Sequence, residues 1–220
     1  MTSRTRVGVL ISGRGSNMVS LAEAAAHDDF PAQIALVISN EPGAAGLARA
    51  ADFGIETATI NHRDYADRPA FEDALSARMR DADCDLICNA GFMRLLTPRF
   101  VDAWRDRHLN IHPSLLPAFK GLHTHQRVLD EGVRITGCTV HVVRAEMDAG
   151  PIVAQAAVPV CSGDDADRLA ARVLVAEHQL YPHALRLFAS GAASVESERI
   201  VIHSDADASA STLFSPELHV

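Results

Sequence analysis

Short apolar runs alternate along this chain with stretches whose apolar residues recur every three or four positions. That alternation is the pattern of strands that feed helices and return to a parallel sheet. Strands are expected over 7–12, 34–39, 56–60, 85–90 and 108–111. Helices are expected between them over 16–27, 43–53 and 70–82, with a short one over 97–104. Gly54 suits the stop of the second helix, and Pro98 suits the first turn of the short one. After Leu115-Leu116-Pro117 the pattern changes. A helix over 122–131 is ended by Gly132, and two β-rich runs over 136–143 and 152–160 are joined by a loop. A long helix follows over 165–189, with apolar positions Leu169, Val173, Ala176, Leu180 and Leu187. Pro182 should kink or divide it.

These elements predict an α/β fold: a three-layer sandwich with a Rossmann-like, mostly parallel sheet and an antiparallel C-terminal extension. With no internal repeat and no interdomain linker, residues 1–204 read as one domain and 205–220, rich in Ser, Ala and Asp, as a mobile end. A chain of 220 residues can bury a sizeable core, and 48% hydrophobic with 22% charged residues is ordinary globular composition. The net charge of −8 argues against nucleic acid or an anionic membrane as the main partner. The apolar run 7–11 is too short for a signal sequence, so the expected location is the cytoplasm. The four cysteines, at 84, 88, 138 and 161, match neither a redox pair nor a zinc spacing; Cys88 and Cys138 read as small buried hydrophobes.

The chemistry concentrates in Leu109-Asn110-Ile111-His112-Pro113-Ser114-Leu115-Leu116-Pro117 and in Met147-Asp148-Ala149-Gly150-Pro151. Asn110 and His112 share one face of an extended segment that Pro113 keeps from turning helical. An amide donor beside an imidazole suits a carbonyl carbon becoming tetrahedral, since the oxyanion needs preorganised donors. A carboxylate at Asp148 would raise the imidazole pKa and order water for proton transfer. Without an obvious Ser, Cys or Lys nucleophile, the substrate would bring its own. A core histidine at a strand end followed by an ordinary turn is the competing reading. Ser12-Gly13-Arg14-Gly15-Ser16-Asn17 joins the first strand to the first helix, where free N–H groups favour an anion. It lacks the third glycine of a dinucleotide fingerprint, and Ser39-Asn40 stand where the acid would close the second strand. A purely structural tight turn explains it as well. His123 and His125 near His112 raise the question of a metal, but their spacing on a helix separates the rings, and none is expected. His141 faces either the core or the site.

The string Asn-Ile-His-Pro-Ser-Leu-Leu-Pro resembles the signature of the folate-dependent formyltransferases, and Met-Asp-Ala-Gly-Pro-Ile resembles their downstream Asp motif. To about Ser204 the chain is similar to the one-domain branch that formylates 5-phosphoribosylglycinamide in purine biosynthesis. The resemblance implies 10-formyltetrahydrofolate as co-substrate, no metal, and catalysis by Asn110, His112 and Asp148. It makes Gly15, Ser16 and Asn17 the cradle of the ribonucleotide phosphate. Leu174, Val175, Ala176 and Glu177 would line the ribonucleotide, with Glu177 on its amino end. Arg14 stands where the family often has Asn and would add positive charge near the phosphate. Met93, Arg94, Leu95 and Leu96 would line the pterin pocket, and Arg68 would approach the glutamate tail. Asn110 and the segment Arg144, Ala145, Glu146, Met147 and Asp148 would also touch the folate. Small molecules are then the partners, and a homodimer is left open. Methionyl-tRNA formyltransferase and formyltetrahydrofolate deformylase are expected to carry additional domains for which this chain has no room. A non-catalytic nucleotide-binding module is the alternative of another class.

Overall fold

The computed structural model describes residues 4–203 and 215, so the expectation of a mobile end over 205–220 falls outside the described residues apart from Ser215. The first half runs β1 (Thr5–Ile11), α1 (Ser16–Ala25), β2 (Ala32–Ser39), α2 (Ala45–Asp52), β3 (Glu56–Thr59), α3 (Arg68–Asp81), β4 (Leu86–Asn89), α4 (Pro98–Ala103) and β5 (His108–His112). Then come α5 (Thr124–Asp130), β6 (Ile135–Val142), β7 (Ile152–Pro159), α6 (Ala166–Ala189), β8 (Ala193–Glu196) and β9 (Arg199–Ile202). A seven-stranded sheet has the order β3-β2-β1-β4-β5-β6-β7. β1 to β5 are mutually parallel, and β6 and β7 continue the sheet antiparallel.

Period-two alternation divides the strands between two cores. Val7, Val9 and Ile11 of β1, Leu86 and Cys88 of β4, and Leu109 and Ile111 of β5 join the core under α1 and α6. Leu10, Leu36, Ile38 and Ile87 join the opposite core under α3 and α4, with Phe71, Leu75, Phe100 and Trp104. Side chains take up free amides at the starts of α3 and α6. Asp67 accepts from Ala70 N–H at 2.8 Å before α3, and Asp165 from Arg168 N–H at 2.8 Å before α6. Cys88 and Cys138 are fully buried, and burial pushes both thiols up to about 12, as befits inert core residues.

The C-terminal part departs from expectation in two places. α6 passes through Pro182 undivided. The lost amide costs one hydrogen bond, but Tyr181, Ala184 and Leu185 on either side are wholly buried, and Tyr181 Oη–H donates to Asn89 O at 2.9 Å. The β8–β9 hairpin was not anticipated. Its two-residue turn, Ser197-Glu198, has φ of 47° and 61°, the conformation that usually selects Asn-Gly, and neither residue stands there.

His108 lies sealed in this frame, 1% exposed, and donates Nε2–H to Asn89 Oδ1 at 2.9 Å. Burial, with His141 nearby, pushes its pKa down to about 3. A group whose folded pKa lies below its unfolded value of about 6.5 favours folding in its neutral form. Its stabilisation is complete above that value and is lost as pH falls from there towards 3. Urea unfolding at pH 7.5, 6.5 and 5.5 should show a loss of up to about 1.4 kcal/mol per pH unit from this residue. His108→Gln should be less stable at pH 7.5 but shallower in its pH dependence, and parallel curves would refute the assignment.

Candidate active site

β1 is flanked by β2 on one side and β4 on the other, so the connections leaving β1 and β4 diverge and open a crevice at the carboxyl ends of the strands. Hydrogen bonds tie the two connections together below it. Ser12 N–H donates to Gly91 O at 3.1 Å, Met93 N–H to Ser12 Oγ at 2.8 Å, and Ser12 Oγ–H to Asn40 Oδ1 at 2.6 Å.

The register of the sheet lays out a polar row beside this crevice. Asn89 of β4 is opposite Asn110 of β5, which is opposite His141 of β6. The Asn110 amide nitrogen lies 3.1 Å from His141 Nε2. The loop between β6 and β7 brings Asp148 over the row, at φ 51°, a left-handed conformation that a non-glycine residue adopts at a cost. Asp148 Oδ2 accepts from Gly121 N–H at 2.8 Å and stands 3.4 Å from His112 Nδ1; Oδ1 stands 3.7 Å from His141 Nε2. His112 Nε2–H donates to Phe119 O at 2.9 Å. The carbonyl can only accept, so it fixes the hydrogen on Nε2 and leaves Nδ1 towards the carboxylate.

Burial opposes ionisation of Asp148, but the His141 ring, the Gly121 amide and His112 outweigh it and hold the carboxyl below its usual range. Burial pushes His112 below its ordinary value, against the raising pull of the Phe119 carbonyl and of Asp148. The expectation that the carboxylate leaves His112 with a raised pKa is therefore corrected. The pull exists, but desolvation of a ring that is 5% exposed exceeds it.

At the other end of the crevice Gly15 precedes α1 at φ 68°, and no side chain caps the helix. The amides of its first turn remain available to an anion. Arg14 is exposed beside it. Asn17 donates its amide to Glu177 Oε2 at 2.7 Å, and Asn17 Oδ1 is buried without a partner among the described residues. Glu177 is 7% exposed, and burial pushes its pKa up against the Asn17 hydrogen bond.

The structure thus gathers Asn110, His112 and Asp148 in one cluster and pairs Asn17 with Glu177. Leu174 and Ala176 are half-buried, whereas Val175 is turned outward, 62% exposed. Met93 and Leu95 are exposed at 68% and 62%, while Arg94 and Leu96 are half-buried. Arg68 sits exposed in the first turn of α3. Ala145, Glu146 and Met147 are exposed, but the Arg144 guanidinium is held by Asp106 and Glu198. His123 precedes α5 rather than lying on it, and among the described residues no group of three or more His, Cys, Asp or Glu is arranged to hold a metal. Sequence reasoning left His141 open and missed Asn89 and His108. Strand alternation carried the signal for His141, since Val140 and Val142 are both core residues.

A mostly parallel sheet with an amide, imidazoles and a carboxylate gathered at its carboxyl ends defines an α/β enzyme equipped for proton transfer and oxyanion stabilisation. Its relatives narrow the class. The chain belongs to the formyl transferase family, whose model matches residues 5–185. It is 49% identical over 189 residues to the trifunctional purine biosynthetic protein adenosine-3 of Bos taurus, covering 86% of this chain but only 19% of that protein. It therefore spans about a fifth of the trifunctional relative's length. It is 40% identical to phosphoribosylglycinamide formyltransferase of Haemophilus influenzae, covering 84% of this chain and 88% of that one. Among solved structures, glycinamide ribonucleotide transformylase 1 from Symbiobacterium toebii superposes with a TM-score of 0.90 at 43% identity, over 93% of this chain and 96% of that one. Phosphoribosylglycinamide formyltransferase from Brucella melitensis gives 0.83 at 54% identity, over 86% and 97%.

The glycine turn also has a structural duty. A Cβ on Gly15 would lie 2.9 Å from the Cα of Gly46, in the first turn of α2. Gly15→Ala should thus lose about 1–2 kcal/mol of stability from the left-handed backbone alone, and more from the contact. Urea unfolding checks this, and wild-type stability would mean that the glycine serves only ligand approach.

Proposed function

We propose that this chain transfers the formyl group of 10-formyltetrahydrofolate to the amine of 5-phosphoribosylglycinamide, a step of purine biosynthesis. One formyltransferase domain over 1–204 would work in the cytoplasm on small-molecule partners, without nucleic acid or membrane. The observation that carries the reading is the Asn110, His112 and Asp148 cluster at one end of a crevice whose other end has an uncapped helix start and a buried Glu177. The amides of Gly15, Ser16 and Asn17 hold the phosphate, and Glu177 takes the amino end, with the half-buried Leu174 and Ala176 near it and Val175 on the outer face of the helix. The folate lies along Met93, Arg94, Leu95 and Leu96, with Arg68 at its tail and the 144–148 segment over it.

In the reaction the amine nitrogen attacks the formyl carbon, and the Asn110 amide stabilises the oxyanion, joined by the positive charge of His112 once its ring is protonated. The amine proton passes through a water to neutral His112 at Nδ1, where Asp148 stabilises the imidazolium. Collapse breaks the bond to the folate nitrogen, which receives the proton. The donor is already activated, so orientation and electrostatics supply the rate.

His112→Ala and Asp148→Asn should each lose on the order of 10²–10³ in turnover while ligand binding changes little. Tetrahydrofolate release should be slow from 10-formyltetrahydrofolate alone and rapid once 5-phosphoribosylglycinamide is added. Release that ignores the ribonucleotide would make the chain a formyltetrahydrofolate hydrolase. Failure of both ligands to raise the melting temperature would favour a non-catalytic nucleotide-binding module.

A further inference from the structure

Arg144 opens the loop that carries Asp148, and its guanidinium is almost wholly used within the protein. Nη2 donates to Asp106 Oδ1 at 2.6 Å, Nε to Glu198 Oε2 at 2.7 Å, Nη2 also to Glu198 Oε1 at 3.4 Å, and Nη1 to Val143 O at 3.1 Å. The side chain is 11% exposed. Asp106 belongs to the connection into β5, two residues before the strand that bears Asn110 and His112. Glu198 is the second residue of the β8–β9 turn, where Arg105 also reaches its Oε1 at 2.5 Å. One guanidinium therefore joins the approach to β5, the start of the Asp148 loop and the tip of the hairpin.

The residue chosen for the turn adds an independent observation. Glu198 has φ 61°, a position that glycine or asparagine fills more easily. Its carboxylate gives Arg144 and Arg105 a common acceptor, which glycine would not. Hairpin and loop face each other across an open depression of about 340 Å³ lined by Gly150, Pro151, Ile152, Glu198, Arg199 and Ile200, which leaves room for the loop to move when unpinned.

We infer that Glu198 and Asp106, acting through Arg144, are positioning residues that hold the Asp148 loop over His112 and His141. This rests on the catalytic reading of Asp148 above. Four charges of balanced sign, with the central guanidinium shielded from water, restrict the loop more than separate surface pairs would. The geometry needed for proton transfer then exists before substrate arrives.

Glu198→Gly tests this, because glycine suits the turn while the side chain whose carboxylate holds Arg144 and Arg105 is lost. Amide hydrogen exchange over 144–151 should quicken at least several-fold, while thermal unfolding stays unchanged or rises. In the formyl-transfer assay kcat should fall roughly tenfold or more, since small misplacements of catalytic groups are costly, and KM for the ribonucleotide should hold. Glu198→Gln, which keeps a hydrogen-bonding oxygen, should recover part of both effects. Unchanged exchange would overturn the clamp, and faster exchange with unchanged kcat would overturn its positioning role. If the wild-type protein transfers no formyl group, the catalytic reading fails separately, and the exchange measurement still decides whether Glu198 holds the loop.

Discussion

Strand β5 must satisfy two environments at once, and the rest of the site follows from how it does so. Its odd positions, Leu109 and Ile111, are core residues beneath α6, where water is excluded. Its even positions, His108, Asn110 and His112, therefore point together to the other face. There the covering core is built from residues of α3, α4, β1, β2 and β4, so the even positions of β5 lie at its margin. The deepest of the three is sealed and neutral, the middle one reaches His141, and the last meets the Asp148 loop. A one-residue slip of β5 would exchange the two sets, burying the polar groups against α6 and emptying the crevice of its chemistry.

Electrostatics in the cluster are decided by burial as much as by pairing. Asp148 overcomes its own desolvation because three groups face it, an amide and two rings. His112 has only one anion to help it, and that does not offset the loss of water around the ring. The resting arrangement is thus an ionised carboxylate beside a neutral imidazole. Burial makes the ring a weaker base than in water, and the carboxylate offsets part of that loss, since the resulting imidazolium meets a charge already in place.

Much of this was legible in the sequence because period and punctuation are local. Every expected strand and helix through 189 appears within a few residues of its expected ends. What escaped depended on packing or on a residue that defies its position. The hairpin is hidden by Ser197-Glu198, which carries a turn usually signalled by Asn-Gly. The unbroken α6 is hidden by Pro182, whose local cost is overridden by its buried neighbours. Glu177 reads as a surface residue when taken alone, yet Val173, Glu177, Leu180 and Ala184 form one buried stripe at spacings of four, three and four. A carboxylate inside such a stripe was the available signal. The Arg144 clamp could not be read at all, because Asp106, Arg144 and Glu198 meet only through the tertiary fold.

The segment after His112 shows why so much apolar and small-residue sequence surrounds a few reactive atoms. Thr139 Oγ1 donates to Ser114 O at 2.7 Å and accepts from Leu116 N–H at 3.0 Å, while the Gln155 amide donates to Leu116 O at 3.0 Å. Ser114 Oγ–H donates to Ala118 O at 2.7 Å, closing the turn that presents Phe119. Phe119 itself sits at φ 54°, so its carbonyl is aimed by the turn rather than by local preference. That carbonyl is the acceptor that commits Nε2 of His112 as a donor. The Ser-Leu-Leu-Pro string is thus scaffold, and its chemical effect is indirect: it settles the tautomer. With Nε2 occupied, Nδ1 beside Asp148 is the nitrogen left to take up a proton, and the carboxylate that would stabilise the charge is already turned towards it.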